Sequence, residues 1–462
     1  MRKFIFIALS VFLLLSLTVL AYAEEPQIKL GGRILVRGWY FDNVAWYPGA
    51  GSYVWGLPEE SNSTALYSTN AYITIDAKVS DNVQGYMELE TSGGNSRQSG
   101  LYVWDSYEEK PNENLKFRQL WMLYKGSGLL GVPAGIKIGH MPLTLGEKQF
   151  LNHERFGDDA ILVYVEPTKE LFLAAATVKL NEGYIELSGD DIDANVILGT
   201  YKLDKDNTVG INYTYIDCDD VDLATGVPIG VNGLSLQNLG LHANGQIAGV
   251  TYAAEFDTQF GKLQAQPGSA LDDQKYRGWA IFVKGGYAIP DTSLTLRGSF
   301  AMGSGDSDID DNKTEEFQTT MGYDTLSPLA RYVHYTQIYE RTINTAAFLQ
   351  SVGGPFRNTG IANTTYYNLG LDLAPTKDIS LSLDGFILRA TKTGAWEDFV
   401  GSSVSKSVGT EVDFKGSYKI AKNLTYFVEA GIFSPGDFYK DAYLIDDDKT
   451  VKQVVHGINL TF

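Results

Sequence analysis

The sequence of 462 residues contains a single cysteine, Cys218, so no disulfide can form within the chain. It has no C-x-x-C-H motif, so it attaches no c-type haem through its own residues. Basic residues are also scarce, because 37 Lys and Arg stand against 56 Asp and Glu, for a formal charge of -19. Nucleic-acid binding is therefore disfavoured, since contacts with phosphates require basic patches.

Long hydrophobic runs are confined to the N-terminus. Two basic residues precede an almost unbroken apolar stretch over residues 4–20, and Ala21-Tyr22-Ala23 then supplies the small residues that a signal peptidase recognises. We therefore expect residues 1–23 to be a cleaved signal peptide. A retained N-terminal membrane helix is the alternative, because the run is almost long enough to span. Beyond it, no stretch approaches the ~20 apolar residues of a helical span.

The composition of the remaining chain favours a membrane β-barrel. Tyr (28), Phe (22) and Gly (48) are abundant, whereas Pro (14) is scarce. Barrels place aromatic residues at the two membrane interfaces and glycines where strands bend. The expected mature chain, residues 24–462, is therefore interpreted as one transmembrane barrel domain.

Short segments with a period of two recur along the chain and are separated by connections of two lengths. Residues 71–79 show the pattern, with apolar and polar side chains alternating on opposite faces. Short turns rich in Asp, Asn, Gly and Pro are predicted at 80–82, 125–134, 166–170, 203–207, 243–246, 290–292, 375–378 and 420–423. Longer polar segments are predicted at 42–66, 92–114, 141–159, 181–192, 217–233, 257–276, 303–363, 390–407 and 434–450.

Eight short turns and nine long loops predict an all-β fold, a transmembrane antiparallel up-and-down β-barrel of about 18 strands with short periplasmic turns and long extracellular loops. Both termini then lie on the side of the short turns. A barrel of 16 strands is the alternative, because residues 160–192 can be divided in more than one way.

The last predicted strand ends the chain on an aromatic residue. Val454, His456, Ile458, Leu460 and Phe462 alternate with polar positions and are expected to face lipid. A closing strand of this kind resembles the C-terminal signal of outer-membrane proteins that the barrel-assembly machinery recognises. An ordinary terminal strand is the alternative interpretation.

The mature chain as a whole resembles the porins of Gram-negative bacteria, particularly the 16- to 18-stranded substrate-selective and alginate-export-like barrels. The resemblance rests on residues 31–37, 78–90, 139–142 and 457–462. It implies a multi-pass barrel in the outer membrane, in contact with lipid and lipopolysaccharide, and it leaves a homotrimer open. The function that it implies is passive diffusion of small hydrophilic solutes and ions, without catalysis.

Charged residues share one face of several predicted strands. A charge on the lipid face costs about 2–4 kcal/mol at mid-depth, so these side chains are expected in the lumen. The predicted pore-lining residues are Arg33, Arg37, Glu88, Glu90, Lys116, Arg118 and Lys137. They form either a selective ladder for polar solutes or a solvated wall whose charges pair with each other.

The third predicted external loop, residues 141–159, mixes charges with aromatic residues. In porins the third loop commonly folds into the lumen and forms the constriction. By this resemblance, the candidate constriction residues are Lys148, His153, Glu154, Arg155, Asp158 and Asp159. A charge-rich surface loop is the alternative.

The long segment 303–363 carries two further patterns. Asp306, Asp308 and Asp310 have the alternate spacing of calcium loops, but the glycine and the twelfth-position Glu of an EF-hand are missing. A surface Ca²⁺ site is weighed against a solvated acidic loop, and no other cofactor is expected. The aromatic-rich stretch 331–341 would line the mouth, stack on sugars, plug the lumen, or only hold the loop together.

Other functions make different demands on the sequence. A barrel hydrolase needs a Ser-His-Asp or related set at the outer rim, and the five His residues show no such spacing, so an enzyme is not expected. A sleeve around a multihaem cytochrome, within an electron-conduit complex, is one alternative to the porin. A specific polysaccharide or oligosaccharide channel is another. A sleeve requires an open lumen, so an inward third loop would argue against it.

Overall fold

The computed structural model describes residues 26–43, 63–92, 102–104, 114–128, 131–182, 191–220, 231–268, 272–308, 311–320, 335–340, 360–443 and 449–462. The predicted signal peptide lies outside these ranges. No helix within them has the length and apolar character that crossing a membrane would require.

The described residues form one β-sheet of 21 strands and two short helices. The strands are β1 Gln27–Asp42, β2 Ser63–Lys78, β3 Val83–Ser92, β4 Tyr102–Val103, β5 Asn114–Ser127, β6 Pro133–Thr144, β7 Asn152–Val165, β8 Leu171–Asn181, β9 Ile192–Lys202, β10 Thr208–Cys218, β11 Val231–Ile247, β12 Val250–Ala265, β13 Gln274–Tyr276, β14 Trp279–Ala288, β15 Leu294–Gly303, β16 Lys313–Thr314, β17 Thr364–Thr376, β18 Ile379–Ala390, β19 Ser407–Ala421, β20 Leu424–Pro435 and β21 Val451–Thr461. The helices are α1 Gly394–Val400 and α2 Asp437–Tyr443.

Three of these strands, β4, β13 and β16, are short pieces within long connections, and the other 18 form the barrel. Each barrel strand pairs antiparallel with the next one in the chain. The first and last strands also pair, with Arg33 opposite Thr461 and Asp42 opposite Lys452, which closes the barrel. The predicted closed barrel of 18 antiparallel strands is confirmed, and the alternative of 16 strands is wrong.

Seven predicted short turns overlap the observed connections, although the longest of them, 125–134, extends into β5 and β6, and the eighth is displaced. Residues 243–246 lie within β11, and the chain turns at Ala248 and Gly249 instead. Both turn residues have positive φ, 50° and 84°, as a two-residue hairpin of the I′ type requires. Asn244-Gly245 imitates this signal in the sequence, but Gly245 is nearly extended, with φ of 158°. The prediction of a turn at 243–246 was therefore wrong.

The apolar face changes sides along the middle strands of the chain. Near the short turns, the paired residues Ile211 and Leu241 are exposed on the outside of the barrel. Farther up the same two strands, Ile216 and Leu236 are paired but fully buried inside the barrel. Because side chains alternate, the next residue of β10, Asp217, faces outward. The strands therefore extend beyond the lipid-facing zone, and their upper ends enclose an apolar core.

This extension corrects the predicted loop boundaries. Cys218 is still part of β10, and β12 continues to Ala265, so the segments 217–233 and 257–276 are partly strand. The sequence pattern for a membrane strand ends where the apolar face switches, which is why these strands were predicted too short.

The last strand has the faces that the sequence predicts. Val454, Ile458, Leu460 and Phe462 are exposed on the outside, and Val455 is fully buried inside. The outward positions of β21 are therefore apolar along the seam with β1.

Candidate functional site in the barrel lumen

The hairpin formed by β6 and β7 leaves the barrel wall. The last residue of β6 that pairs with β5 is His140, opposite Leu120, and the first residue of β7 that pairs with β8 is Asp159, opposite Lys179. Between them, residues 141–158 pair with neither neighbouring strand. This inserted hairpin nearly coincides with the predicted third loop, 141–159, although only residues 145–151 within it lie between the strands.

A large bulge permits the departure. Met141 pairs with Asp158, but the next pair is Leu143 with His153, so several residues of β7 are looped out. Gly157 lies in this bulge with φ of 73°, and a Cβ there would lie 2.7 Å from the carbonyl oxygen of Met141. Only glycine accommodates both constraints.

The tip of the inserted hairpin reaches the far wall of the barrel. The backbone N–H of Glu147 donates to the carboxylate of Glu255 on β12. The Glu147 carboxylate accepts hydrogen bonds from Asn244 on β11 and Lys284 on β14, each at 3.0 Å. Gly146, with φ of 50°, leaves room for the Glu255 carboxylate. Glu147 therefore ties the hairpin to three strands across the lumen.

The root of the inserted hairpin is braced by charged residues of the near wall. Arg118 donates to the carboxylate of Glu88 at 2.8 Å and to the backbone carbonyls of Glu154 and Arg155 at 3.2 and 3.1 Å. Arg155 in turn donates to Glu90 at 2.8 Å. Predicted pore-lining residues are thus joined in pairs with predicted constriction residues. This agrees with the interpretation of the charges as a wall whose members pair with each other.

The remaining predicted constriction residues divide between two faces. Lys148 lies 2.5 Å from Glu154, and His153 lies 2.7 Å from Asp158, both pairs within the inserted hairpin. Asp159, however, pairs with His140 on the outer face, and its side chain is 74% exposed. The structure therefore places Asp159 outside the lumen, because it is the first residue of β7 to rejoin the wall and points opposite to Asp158.

The other predicted pore-lining residues face inward. The ammonium group of Lys137 lies 3.9 Å from the centre of the Trp121 ring, and Lys116 is paired in register with Glu90. Arg37 is buried and donates to Asn70, and Arg33 donates to Asn459 at 2.6 Å. The alternation of the strands was sufficient to assign these faces.

The inserted hairpin lies between two cavities within the lumen. The first cavity, of about 790 Å³, is lined by residues including Arg33, Arg37, Glu88, Arg118, Glu154 and Arg155. The second cavity, of about 670 Å³, lies against β12, β14, β15, β17 and β18 and is lined by residues including Lys284, Arg297, Tyr366, Asp384 and Phe386. Asn152 and Lys415 line both.

Three charged residues of the lumen, Arg297, Asp372 and Asp384, were missed by sequence reasoning although a signal for them existed, and the first and last line the second cavity. Arg297 donates to Asp372 at 2.6 Å and to both oxygens of Asp384 at 3.0 and 2.9 Å. Arg297 alternates with apolar Leu296 and lies on the inner face of β15, as do the acids on their own strands. The period of two would have placed all three charges in the lumen.

A second segment, residues 335–340, is also folded into the barrel. We call it the inner segment. Its backbone N–H groups donate to two acids of β19: Ile338 and Tyr339 to Glu411 at 2.6 and 2.9 Å, and Gln337 to Asp413 at 3.0 Å. Of the predicted stretch 331–341, residues 331–334 and 341 lie outside the described residues. The described part occupies the lumen.

The predicted calcium site is only partly described, because Asp310 lies outside the described ranges. The Asp306 carboxylate is buried and accepts the backbone N–H groups of Asp308 and Glu315, each at 3.1 Å. Burial raises the pKa of Asp306. Within the described ranges, no group of three or more His, Cys, Asp or Glu residues could hold a metal ion. The calcium site remains a prediction.

Comparisons with known proteins agree with this architecture. The sequence pattern of the family described as alginate export matches residues 62–345. The crystal structure of Pseudomonas aeruginosa OprD is similar at 9% identity, with a TM-score of 0.53, covering 96% of this chain and 98% of that one. Pseudomonas aeruginosa OpdK, solved with vanillate, is similar at 9% identity and a TM-score of 0.52, covering 94% and 98%.

Pseudomonas aeruginosa OccK11 (OpdR) is similar at 10% identity and a TM-score of 0.52, covering 94% of this chain and 96% of that one. At such low identities, these likenesses establish the fold alone. No curated protein sequence matches the chain.

Proposed function

Because the chain belongs to the alginate export family, we propose that it is a porin of the Gram-negative outer membrane through which small hydrophilic solutes and ions diffuse passively. The observation that supports this proposal most directly is the pair of cavities in the lumen, whose walls carry charged side chains from many strands. The proposal includes no catalytic step.

The arrangement of charges predicts modest ion selectivity. Several bases in the lumen are held by acids, as Arg118 is by Glu88 and Arg297 by Asp384. Within the described residues Lys415 makes no hydrogen bond or ion pair, and it borders both cavities, whereas Lys116 and Lys137 line neither. We expect a weak preference for anions that depends on Lys415, since only charges within about 8 Å of the ion path act at physiological salt.

A channel for acidic saccharides or other carboxylates is the second candidate. The family takes its description from the export of an acidic polysaccharide, and OpdK was solved with an aromatic carboxylate. Arg33 and Lys415 in the first cavity would supply positive charge for such a solute, with Phe427 as an apolar neighbour. Block of the current by a uronic-acid oligosaccharide, but not by a neutral one of equal length, would favour this candidate over general diffusion.

The sleeve alternative is disfavoured. A sleeve for a multihaem partner needs an unobstructed lumen, whereas the inserted hairpin runs from the near wall to Glu255 on the far wall. A partner would have to displace the hydrogen bonds and salt bridges at both ends of this hairpin.

The decisive experiment is single-channel recording of the refolded mature chain in planar bilayers, with the reversal potential measured under a salt gradient. Stable conductance steps are expected, with a reversal potential of the anion-selective sign. A barrel that is correctly folded, as shown by heat-modifiable mobility on a gel, but gives no conductance would contradict the proposal. Lys205, an exposed residue of a short turn, offers a control substitution away from the lumen.

A further inference from the structure

The inserted hairpin and the inner segment, which both enter the lumen, are held to the barrel wall in the same way. On β12, Glu255 and Asp257 occupy alternate inward positions, and on β19 Glu411 and Asp413 do the same. All four carboxylates are buried. In both cases an acid accepts backbone N–H groups, from the tip of the inserted hairpin on β12 and from the inner segment on β19. At these two places, therefore, an acid of the wall binds the backbone of the entering segment.

The contact at β19 is the more complete of the two. The two carboxylate oxygens of Glu411 accept the N–H groups of consecutive residues, Ile338 and Tyr339, and Asp413 accepts that of Gln337. Three consecutive backbone N–H groups, those of residues 337, 338 and 339, thus find their acceptors on this strand of the wall. Within the described residues, neither acid has a cation within salt-bridge distance. Their hydrogen-bond partners are each other and the backbone N–H groups of the inner segment.

The neighbouring strand is shaped to receive the inner segment. A Cβ at Gly431 on β20 would lie 2.7 Å from Asp413 Oδ1 and 3.1 Å from both Cδ1 and Cγ1 of Ile338. Any larger residue at 431 would therefore press on the segment and on one of its acceptors together. Gly431 is not among the described glycines with a positive φ. The need for a small side chain, rather than an unusual backbone conformation, therefore explains the glycine at this position.

The inner segment also lies between the two cavities. Thr336 and Gln337 line the first cavity, whereas Tyr335 and Glu340 line the second. Tyr335 stacks on Tyr366 of β17, with ring centres 4.5 Å apart. The segment therefore fills the space through which the cavities would otherwise join.

We propose that the inner segment is a displaceable plug and that Glu411 and Asp413 are the latch that holds it in the lumen. This inference rests on the proposed channel function. Release of the latch would merge the two cavities into one wider passage, without unfolding of the barrel wall. A solute that competes for the same three N–H groups through a carboxylate would favour the released state.

Neutral isosteres of the latch residues test the proposal. In Glu411→Gln, one acceptor oxygen is replaced by an NH₂ group, which then faces a backbone N–H and cannot bond to it. We expect Glu411→Gln/Asp413→Asn to show a conductance at least about twofold higher than the unmodified protein, or a comparable rise in the fraction of time open. Asp76→Asn is the control, because it removes an inward acid of β2 that bonds only Gln84 among the contacts described.

Thiol labelling gives a readout that does not depend on conduction. In a Cys218→Ser background, Ile338→Cys should react slowly with a membrane-impermeant maleimide while the latch is intact. Adding Glu411→Gln/Asp413→Asn should accelerate the reaction about tenfold or more.

The two readouts separate the plug from the channel. Equal labelling rates with and without the latch, in barrels with normal heat-modifiable mobility, would overturn the latch even if both proteins conduct. Faster labelling without any conductance in either protein would support the latch and contradict the porin function. If the double variant fails to fold, Glu411→Gln alone, which leaves Asp413 in place, is judged by the same two measurements.

Discussion

Arg155 on the inserted hairpin donates a 2.8 Å hydrogen bond to Glu90 on β3, and the two side chains are only 6% and 8% exposed. A charge from the lumen thus meets a charge from the wall in a place that water scarcely reaches. Removing one partner of such a buried pair lowers the stability of the protein, because the other charge is left without compensation.

Arg155→Met should therefore destabilise the barrel by about 3–5 kcal/mol. The measurement is the free energy of unfolding in detergent, followed by tryptophan fluorescence in urea. Lys78→Met is the matched control, because Lys78 and Asp81 form a pair with side chains 49% and 73% exposed, and such pairs contribute about 0–1 kcal/mol. The double variant Arg155→Met/Glu90→Gln should recover part of the loss, and a larger additive loss would contradict the pairing.

The tip of the inserted hairpin depends on Gly146. With φ of 50° and a Cβ position 2.7 Å from Glu255 Oε1, Gly146→Ala meets both backbone strain and a clash. A left-handed conformation costs a non-glycine residue about 1–2 kcal/mol, so the tip should detach from β12 before the barrel unfolds. We expect larger or noisier single-channel currents from Gly146→Ala. Gly85→Ala serves as the control, since a Cβ there meets no atom within 4 Å, and equal currents in both variants would contradict the anchored tip.

Lys415 should set the sign of the selectivity. A unit charge 4 Å from an ion in a water-like medium contributes ~1 kcal/mol, which corresponds to about a fivefold change in relative permeability at most. Lys415→Ala should therefore shift the reversal potential towards cation preference, whereas Lys205→Ala on a short turn should leave it unchanged. An unchanged potential in Lys415→Ala would show that the ion path does not pass the boundary between the two cavities.

The sequence predicts the wall of this barrel better than its contents. A period of two is a local property, so the faces of Arg33, Glu88 and Lys137 follow from their immediate neighbours. The partnership of Glu255 with the backbone of Glu147, 108 residues apart, leaves no local trace, because backbone N–H groups carry no sequence signature. The same holds for Glu411 and the inner segment.

Where local signals compete, the sequence is also ambiguous. Asp159 belongs to a charged run that resembles a loop, but it is the residue at which β7 resumes pairing with β8, and this alone turns it outward. The sequence signal for a turn at Asn244-Gly245 is stronger than the one at Ala248-Gly249. The turn nevertheless lies at Ala248-Gly249, because β11 and β12 then pair up to Ile247 and Val250.

This last competition can be tested through stability. Ala248 adopts φ of 50°, which costs an L-residue with a Cβ about 1–2 kcal/mol, whereas Asn tolerates this region and Asn-Gly is the preferred pair in such hairpins. Ala248→Asn should therefore raise the free energy of unfolding by up to about 1 kcal/mol. Ala243→Asn places the same side chain on an outward position of β11, beside Leu241, and should lower it. If Ala243→Asn stabilises the barrel and Ala248→Asn does not, the chain turns at residues 243–246, and the register of β11 with β12 must shift accordingly.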